Sequence, residues 1–307
     1  MSSPQPDVPP AVPAAPAPPA ARPVWWVRVL ARLPWPLLYA AASLVAFLAQ
    51  RVFPYRRELI EYNLGLAFPD AGPAEISRLR HRYYLGFAQM FMELLKGSAM
   101  TAEEFRARVT IRNVELATGY LERGSPVLLV AAHQCNWEWM LLALSIELGW
   151  PLDAAYKPLV DSRAQREMLK LRSRFGSRLV PAQGLLADII RRRAVVRAIA
   201  MVADQEPVTS ERKHWTRFLN RDTAFFMGPE EIARVTRYPV LFVAMRRTAR
   251  GQYAMEFQPL AAAREPLEPG ELTERYARLV EQQIRAAPAD WPWSHKRWRL
   301  KKPLYGT

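Results

Sequence analysis

The sequence predicts an α/β protein: a mixed, mainly parallel central sheet flanked by helices, with an N-terminal membrane-anchoring helix. Three observations carry that expectation. The apolar run Pro126-Val-Leu-Leu-Val-Ala-Ala is continuous, the mark of a strand buried on both faces, and Val195 to Ala203, broken only by Arg197, reads as a second, largely buried strand. Stretches of helical periodicity alternate with them, which places helices over a sheet. Ahead of the globular pattern, Leu33 to Gln50 carries no charge and is bracketed by Arg28 and Arg32 before it and Arg51, Arg56 and Arg57 after it.

Taken in order, residues 1–23 hold nine prolines and six alanines and no large aromatic, so they read as an extended tail outside the fold. Residues 24–54 read as a membrane anchor or interfacial helix. A spanning helix needs about 20 apolar residues, and Pro34 and Pro36 sit best at a helix start, leaving Pro36 to Ala49 as the clean helical stretch. The Trp25-Trp26 doublet with interleaved arginine suits a headgroup interface. Spanning and lying along the surface both remain open, as does a buried soluble helix. A cleaved signal peptide would need an n-region of the wrong length and a cleavage site that is missing. Arginines are nearly balanced across the segment, so orientation is not set by them.

Residues 55–307 read as one globular domain. Ala74 to Lys96 carries Ile76, Leu79, Tyr83, Phe87, Phe91 and Leu94 at helical spacing, as one or two helices. Val109 to Arg112 is a strand, followed by a short helix ending at Gly124 and by the buried strand from Pro126. Helix is expected from Asn136 to Leu148, strand over Leu152 to Tyr156, helices over Arg163 to Phe175 and Gly184 to Arg193, and a second buried strand over Val195 to Ala203. Gly228 to Tyr238 is helical. Val240 to Arg246 and Tyr253 to Gln258 form a hairpin around Arg250-Gly251, and Gly270 to Ala286 is the last helix.

Composition narrows the function. Half of the 307 residues are hydrophobic, which excludes a disordered chain, and 43 Lys+Arg against 29 Asp+Glu give +14, so the surface should meet something anionic. A single cysteine, Cys135, excludes an internal disulfide framework and fits a reducing compartment. With neither GxGxxG nor GxxxxGK[ST], nucleotide chemistry is disfavoured, and no cluster has metal-ligand spacing, so no metal is expected.

Open α/β sheets place their sites beyond the carboxyl ends of the strands. There the strand from Pro126 runs into His133, with Glu138 five residues on. Such a pair across a strand-to-helix turn can act as an imidazole base with a carboxylate fixing its tautomer. The plain alternative is a structural histidine beside a helix N-terminal charge. Asp204 closes the other buried strand in the same topological position, where a loop cap is the ordinary use.

The segment Ala131-Ala-His-Gln-Cys-Asn-Trp-Glu-Trp139 resembles the His-x4-Asp/Glu motif of the lysophospholipid-acyltransferase superfamily, and the chain around it is similar to the bacterial late acyltransferases of lipid A biosynthesis. Five further blocks agree in order: YKPLVDSR leading to LRSRFG, MVADQEP, KHWTRFLNRDTAFFMGPEEIA, PVLFVAMRR and DWPWSHKRWR. The resemblance implies transfer of a fatty acyl chain from a thioester, acyl carrier protein or acyl-CoA, to a hydroxyl of a lipid A precursor. It also implies an inner-membrane location with the catalytic domain on the cytoplasmic face, and no cofactor beyond the thioester co-substrate. Residue by residue, it implies His133 as general base, Glu138 as its orienting carboxylate, Arg172 on a lipid phosphate or the oxyanion, and Asp204 as a positioning acid. Asn136, Lys157, Arg174 and Gln205 are implied in substrate binding.

Two positions depart from the family pattern. Cys135 stands where relatives often have glycine, and Lys157 replaces an arginine, keeping charge without a bidentate fork. Apolar residues flanking the site are expected to form an acyl-chain channel. The same chemistry on another glycolipid, a lysophospholipid or an amino-acid lipid remains open, as does a non-enzymatic tethered protein binding RNA or anionic lipid. The C-terminal block Trp291 to Lys302, with aromatics among five cations, suits a membrane interface or single-stranded RNA. With the lipid reading, nucleic acid is not expected as a partner.

Overall fold

The computed structural model describes residues 25–158 and 161–302; the tail expected over 1–23 and the side chains of Trp25 and Trp26 lie outside the described parts. Chain order is α1 (Trp25–Arg32), α2 (Trp35–Phe47), a π-helical turn (Leu48–Val52), α3 (Arg57–Ala67), α4 (Pro73–Gly97), α5 (Ala102–Arg106), β1 (Val109–Arg112), α6 (Glu115–Glu122), β2 (Val127–Ala131), α7 (Trp137–Glu147), β3 (Leu152–Tyr156), α8 (Ser162–Arg172), β4 (Arg178–Pro181), α9 (Leu185–Arg191), β5 (Ala198–Val202), β6 (Lys213–Phe218), β7 (Arg221–Phe226), α10 (Gly228–Thr236), β8 (Val240–Ala249), β9 (Gln252–Ala261) and α11 (Glu271–Ala286).

Seven strands form one sheet in the order β1-β9-β8-β2-β5-β3-β4. All neighbours run parallel except β8 and β9, so the sheet is mixed and mainly parallel. At its centre β2 is buried along its whole length. Its alternate residues feed two cores: Leu128 and Val130 join α4, α9, α10 and α11 on one face, and Leu129 and Ala131 join α5, α6 and α7 on the other. That two-sided burial is why the sequence there is apolar without alternation.

The N-terminal segment is held against the domain. Leu38, Tyr39, Ala42 and Ala46 of α2 are buried, with Leu38, Ala42 and Ala46 in one core with α4, while Leu37, Leu44 and Phe47 stay more than half exposed. Lys96 donates to the Leu33 carbonyl, and the Arg108 guanidinium lies 3.7 Å from the Trp35 ring centroid. Trp35–Val52 is 18 residues long and apolar enough to cross a membrane by length and composition, with 22% of it buried. At 1.5 Å per residue that is about 27 Å.

The stretch from Ala74 to Lys96 is one helix, not two. The structure also adds elements that the sequence pattern does not announce: α3, β4, and the β6–β7 hairpin. The hairpin's two-residue turn, Leu219-Asn220, has φ of 48° and 63°, both left-handed, as a type I′ turn requires. Leucine is unusual there, but Leu219 is fully buried, so packing offsets the strain. Asn220 tolerates the left-handed region and donates to the Ala67 carbonyl at 3.1 Å, closing the end of α3. Asn220→Ala should destabilise the fold by about 1–2 kcal/mol through strain alone, and Asn220→Gly by less. A denaturant midpoint that is lower for the glycine variant than for the alanine variant would contradict this.

Candidate active site

β2 must hand the chain to α7 within a few residues, and the backbone there is sharply bent. Cys135 has φ of 54°, the region an L-residue occupies only at a cost and glycine occupies freely. The Cys135 N–H donates to the Asp290 carbonyl at 2.9 Å, and its thiol lies 3.4 Å from the Met245 carbonyl. Burial, reinforced by the Asp290 carboxylate, pushes that thiol well above its ordinary range. It is a packing residue, not a nucleophile.

The turn presents His133 to Asp204. The β2–β5 register pairs Ala131 with Val202, so two residues further along each strand the two side chains meet. His133 Nδ1 lies 2.6 Å from Asp204 Oδ1, and the His133 backbone N–H donates to the same oxygen at 3.0 Å. Trp291 Nε1 donates to the other oxygen at 2.9 Å. Burial would raise the Asp204 carboxyl, but the imidazole and these hydrogen bonds outweigh it and lower it to about 2. A carboxylate on Nδ1 requires the proton there, leaving Nε2 as the basic nitrogen. The Trp137 ring packs edge-on to the imidazole, with centroids 5.2 Å apart.

Glu138 is engaged elsewhere. Arg172 binds it through Nε to Oε2 at 2.8 Å and Nη2 to Oε1 at 2.5 Å, and Trp137 Nε1 donates to Oε1 at 3.1 Å. Burial alone would lower the Arg172 pKa, but the carboxylate raises it. The expected His133–Glu138 pair is therefore replaced by two pairs, His133–Asp204 and Glu138–Arg172. Both open on a cavity of about 480 Å³ whose wall continues into Leu141, Leu144, Ala200 and Leu186. A hydrogen-bonded imidazole–carboxylate pair and an ion pair beside an apolar pocket suit a substrate with a polar reacting end and a hydrocarbon body.

The sequence model of the family described as bacterial lipid A biosynthesis acyltransferase matches residues 23–300. The chain belongs to that family. No individually curated protein matches it. As a lipid A acyltransferase it acts in O-acyl transfer to lipid A-like acceptors, which sets aside the non-enzymatic reading of its positive charge.

The remaining expected site residues of the acyltransferase divide. Lys157 and Gln205 line the cavity, Lys157 at the exposed rim 3.7 Å from Glu211. Asn136 does not line it. It caps α7, accepting from the Trp139 N–H and donating to Glu93 Oε2, both at 3.1 Å, and is fully buried. Arg174 likewise turns away and donates to the Gly97 carbonyl at 2.7 Å.

Several supporting residues lay outside the sequence reading. Tyr276 of α11 donates to the Ala131 carbonyl at 2.8 Å and accepts from the Ala203 N–H, tying the ends of β2 and β5. In the C-terminal aromatic-basic block, which suited a membrane interface or single-stranded RNA, Trp291 and Trp293 turn inward while Lys296, Arg299, Lys301 and Lys302 stay exposed. Trp291, Trp293 and Arg297 are at most 2% exposed, and burial pulls the Arg297 guanidinium down to about 10. Glu206 anchors the strap by accepting from Arg299 and Leu300 backbone N–H groups and from Arg299 Nε. The tryptophan and arginine signal was present in the sequence, and it marks a strap packed over the loop that carries Asp204.

Because the folded Asp204 carboxyl sits at about 2 against 3.8 for the free group, its stabilising contribution is complete above about pH 4 and fades as pH falls toward 2. The gap in melting temperature between the wild type and Asp204→Asn should be widest above pH 4 and close toward pH 2; a pH-independent gap would refute the assignment. Trp291→Phe leaves a smaller aromatic ring and removes one donor to a buried carboxylate, the lost hydrogen bond alone costing about 1.5–3 kcal/mol. Equilibrium unfolding checks it, with turnover expected to fall more than KM rises.

Proposed function

We propose that the protein is a late acyltransferase of lipid A biosynthesis, moving a fatty acyl chain from an acyl carrier protein thioester, or acyl-CoA, to a hydroxyl of a lipid A precursor. The observation that carries this is the His133–Asp204 pair opening on an apolar cavity beside a half-buried arginine. His133 Nε2 takes the proton of the acceptor hydroxyl as that oxygen attacks the thioester carbonyl. Asp204 stabilises the imidazolium that results. Arg172, held by Glu138, supplies fixed N–H donors toward the tetrahedral oxyanion. The carbon–sulfur bond then breaks, the proton on His133 passes to the leaving thiolate, and the products are an ester and a free thiol. The displacement needs no cofactor besides the thioester it consumes.

The exposed apolar side of α2, continuing into Val52 and Phe53, supports attachment to the inner membrane with the site on the cytoplasmic face, where the acidic carrier and the anionic glycolipid acceptor meet a basic protein. Purified protein incubated with acyl carrier protein thioester and a tetra-acylated lipid A precursor should yield a product heavier by one acyl group. General-base catalysis is worth about 10²–10⁴-fold, so His133→Ala should lose at least the lower figure in turnover while still sedimenting with membranes. Undiminished mass gain with that variant would remove His133 from the mechanism; no mass gain with wild type would remove the reaction.

A further inference from the structure

The sheet splits at its carboxyl edge. β5 stays paired with β2 out to Ala131 opposite Val202, and β3 stays paired with β4 out to Tyr156 opposite Pro181. Between them, β3 and β5 pair only as far as Ala154 opposite Ala200. The cavity occupies the opening, touching Ala154, Ala155 and Tyr156 on one lip and Ala200, Met201, Val202 and Ala203 on the other. Consecutive strand residues point to opposite faces, so a cavity that meets four in a row reaches both sides of the sheet. Burial agrees: Ala200 and Val202 are only partly buried, although Ala198 and Ile199 just before them are closed off.

Two arms therefore leave the junction near His133. Under α7 the walls are Leu129, Leu144 and Val243, each at most 3% exposed. This arm ends blind, with its charged groups, Glu138 and Arg172, at the mouth. On the opposite face Ala182, Leu186 and Ile232 form an apolar wall, and Gln183, Glu231 and Lys157 stand along it with access to solvent. This arm is open and has a polar rim. A single unbranched chain cut off from its carrier only after reaction suits the blind arm. A chain that stays joined to a large polar headgroup suits the open one.

We infer that the cavity takes two hydrocarbon chains at once through the gap between β3 and β5: the transferred chain under α7, and a chain already attached to the acceptor lipid beside α9 and α10. The inference rests on the acyl-transfer reading and adds a second lipid subsite to it. Filling one arm should change selectivity for one substrate only. Ala200→Leu should lower kcat/KM for long thioesters relative to short ones by about 10-fold or more, leaving the ranking of acceptors that differ in chain length unchanged. Leu186→Phe should do the reverse.

A mapping experiment on the wild type does not depend on the variants folding. A carrier-protein thioester with a terminal diazirine on its acyl chain should label residues under α7, such as Leu144. A lipid A precursor with a terminal diazirine on one chain should label residues such as Leu186. Labelling of the same residues by both probes, or a shift of donor length preference in Leu186→Phe, overturns the two-arm assignment while acyl transfer itself stands. Absence of any transfer by the wild type fails the underlying reading instead.

Discussion

The structure is organised around one buried carboxylate. Asp204 is 1% exposed and accepts three N–H groups: the backbone and ring of His133 at the end of β2, and the indole of Trp291 near the C-terminus. A charge so placed is tolerable only while those donors remain; an unpaired ion in such a site costs several kcal/mol. The requirement fixes the geometry of three distant chain segments at a single point. It fixes the imidazole tautomer as well, because an anion on Nδ1 leaves no other place for the proton. Tyr276 repeats the arrangement one layer below by bridging Ala131 and Ala203.

The net charge of +14 divides unevenly once positions are known. Arg178, Arg191, Arg192 and Arg197 converge on Asp153 and Asp188, where hydrogen bonds led by Arg178 hold the Asp188 carboxyl well below its usual range. Arg297 is interior, and Arg172 is matched by Glu138. These cations brace the β3–β4 side of the sheet and the site, so they are not a general coat for polyanions. Most of the remaining lysines and arginines face outward, among them Lys157 at the cavity rim and Lys301 and Lys302 at the end of the strap.

Much of this was legible in the residues. Uninterrupted apolar runs gave away β2 and β5, and the strand-end positions of His133 and Asp204 marked both as site candidates. Which carboxylate faces the imidazole was not legible, because it depends on β2 and β5 being neighbours in register, and nearly 70 residues separate them. Glu138 was nearer in sequence, but α7 turns it toward Arg172. The β6–β7 hairpin escaped because its turn is Leu-Asn instead of a glycine-containing pair and its strands mix charge with aromatics. The C-terminal tryptophans were misplaced for a related reason: composition identifies large amphipathic rings but does not say whether core or lipid receives them.

Glu93 gives the N-terminal helix a second meaning. Fully buried on α4, it accepts from Tyr39 on α2, from Tyr253 on β9, and from Asn136, the residue that starts α7. The apolar N-terminal segment and the turn that presents His133 thus share one acid. Cutting the chain after Phe53 to make it soluble would strip Tyr39 from that acid and uncover the Leu38, Ala42 and Ala46 contacts on α4. The N-terminal helix is therefore an integral part of the domain that carries the candidate site, and the two are kept, or lost, together.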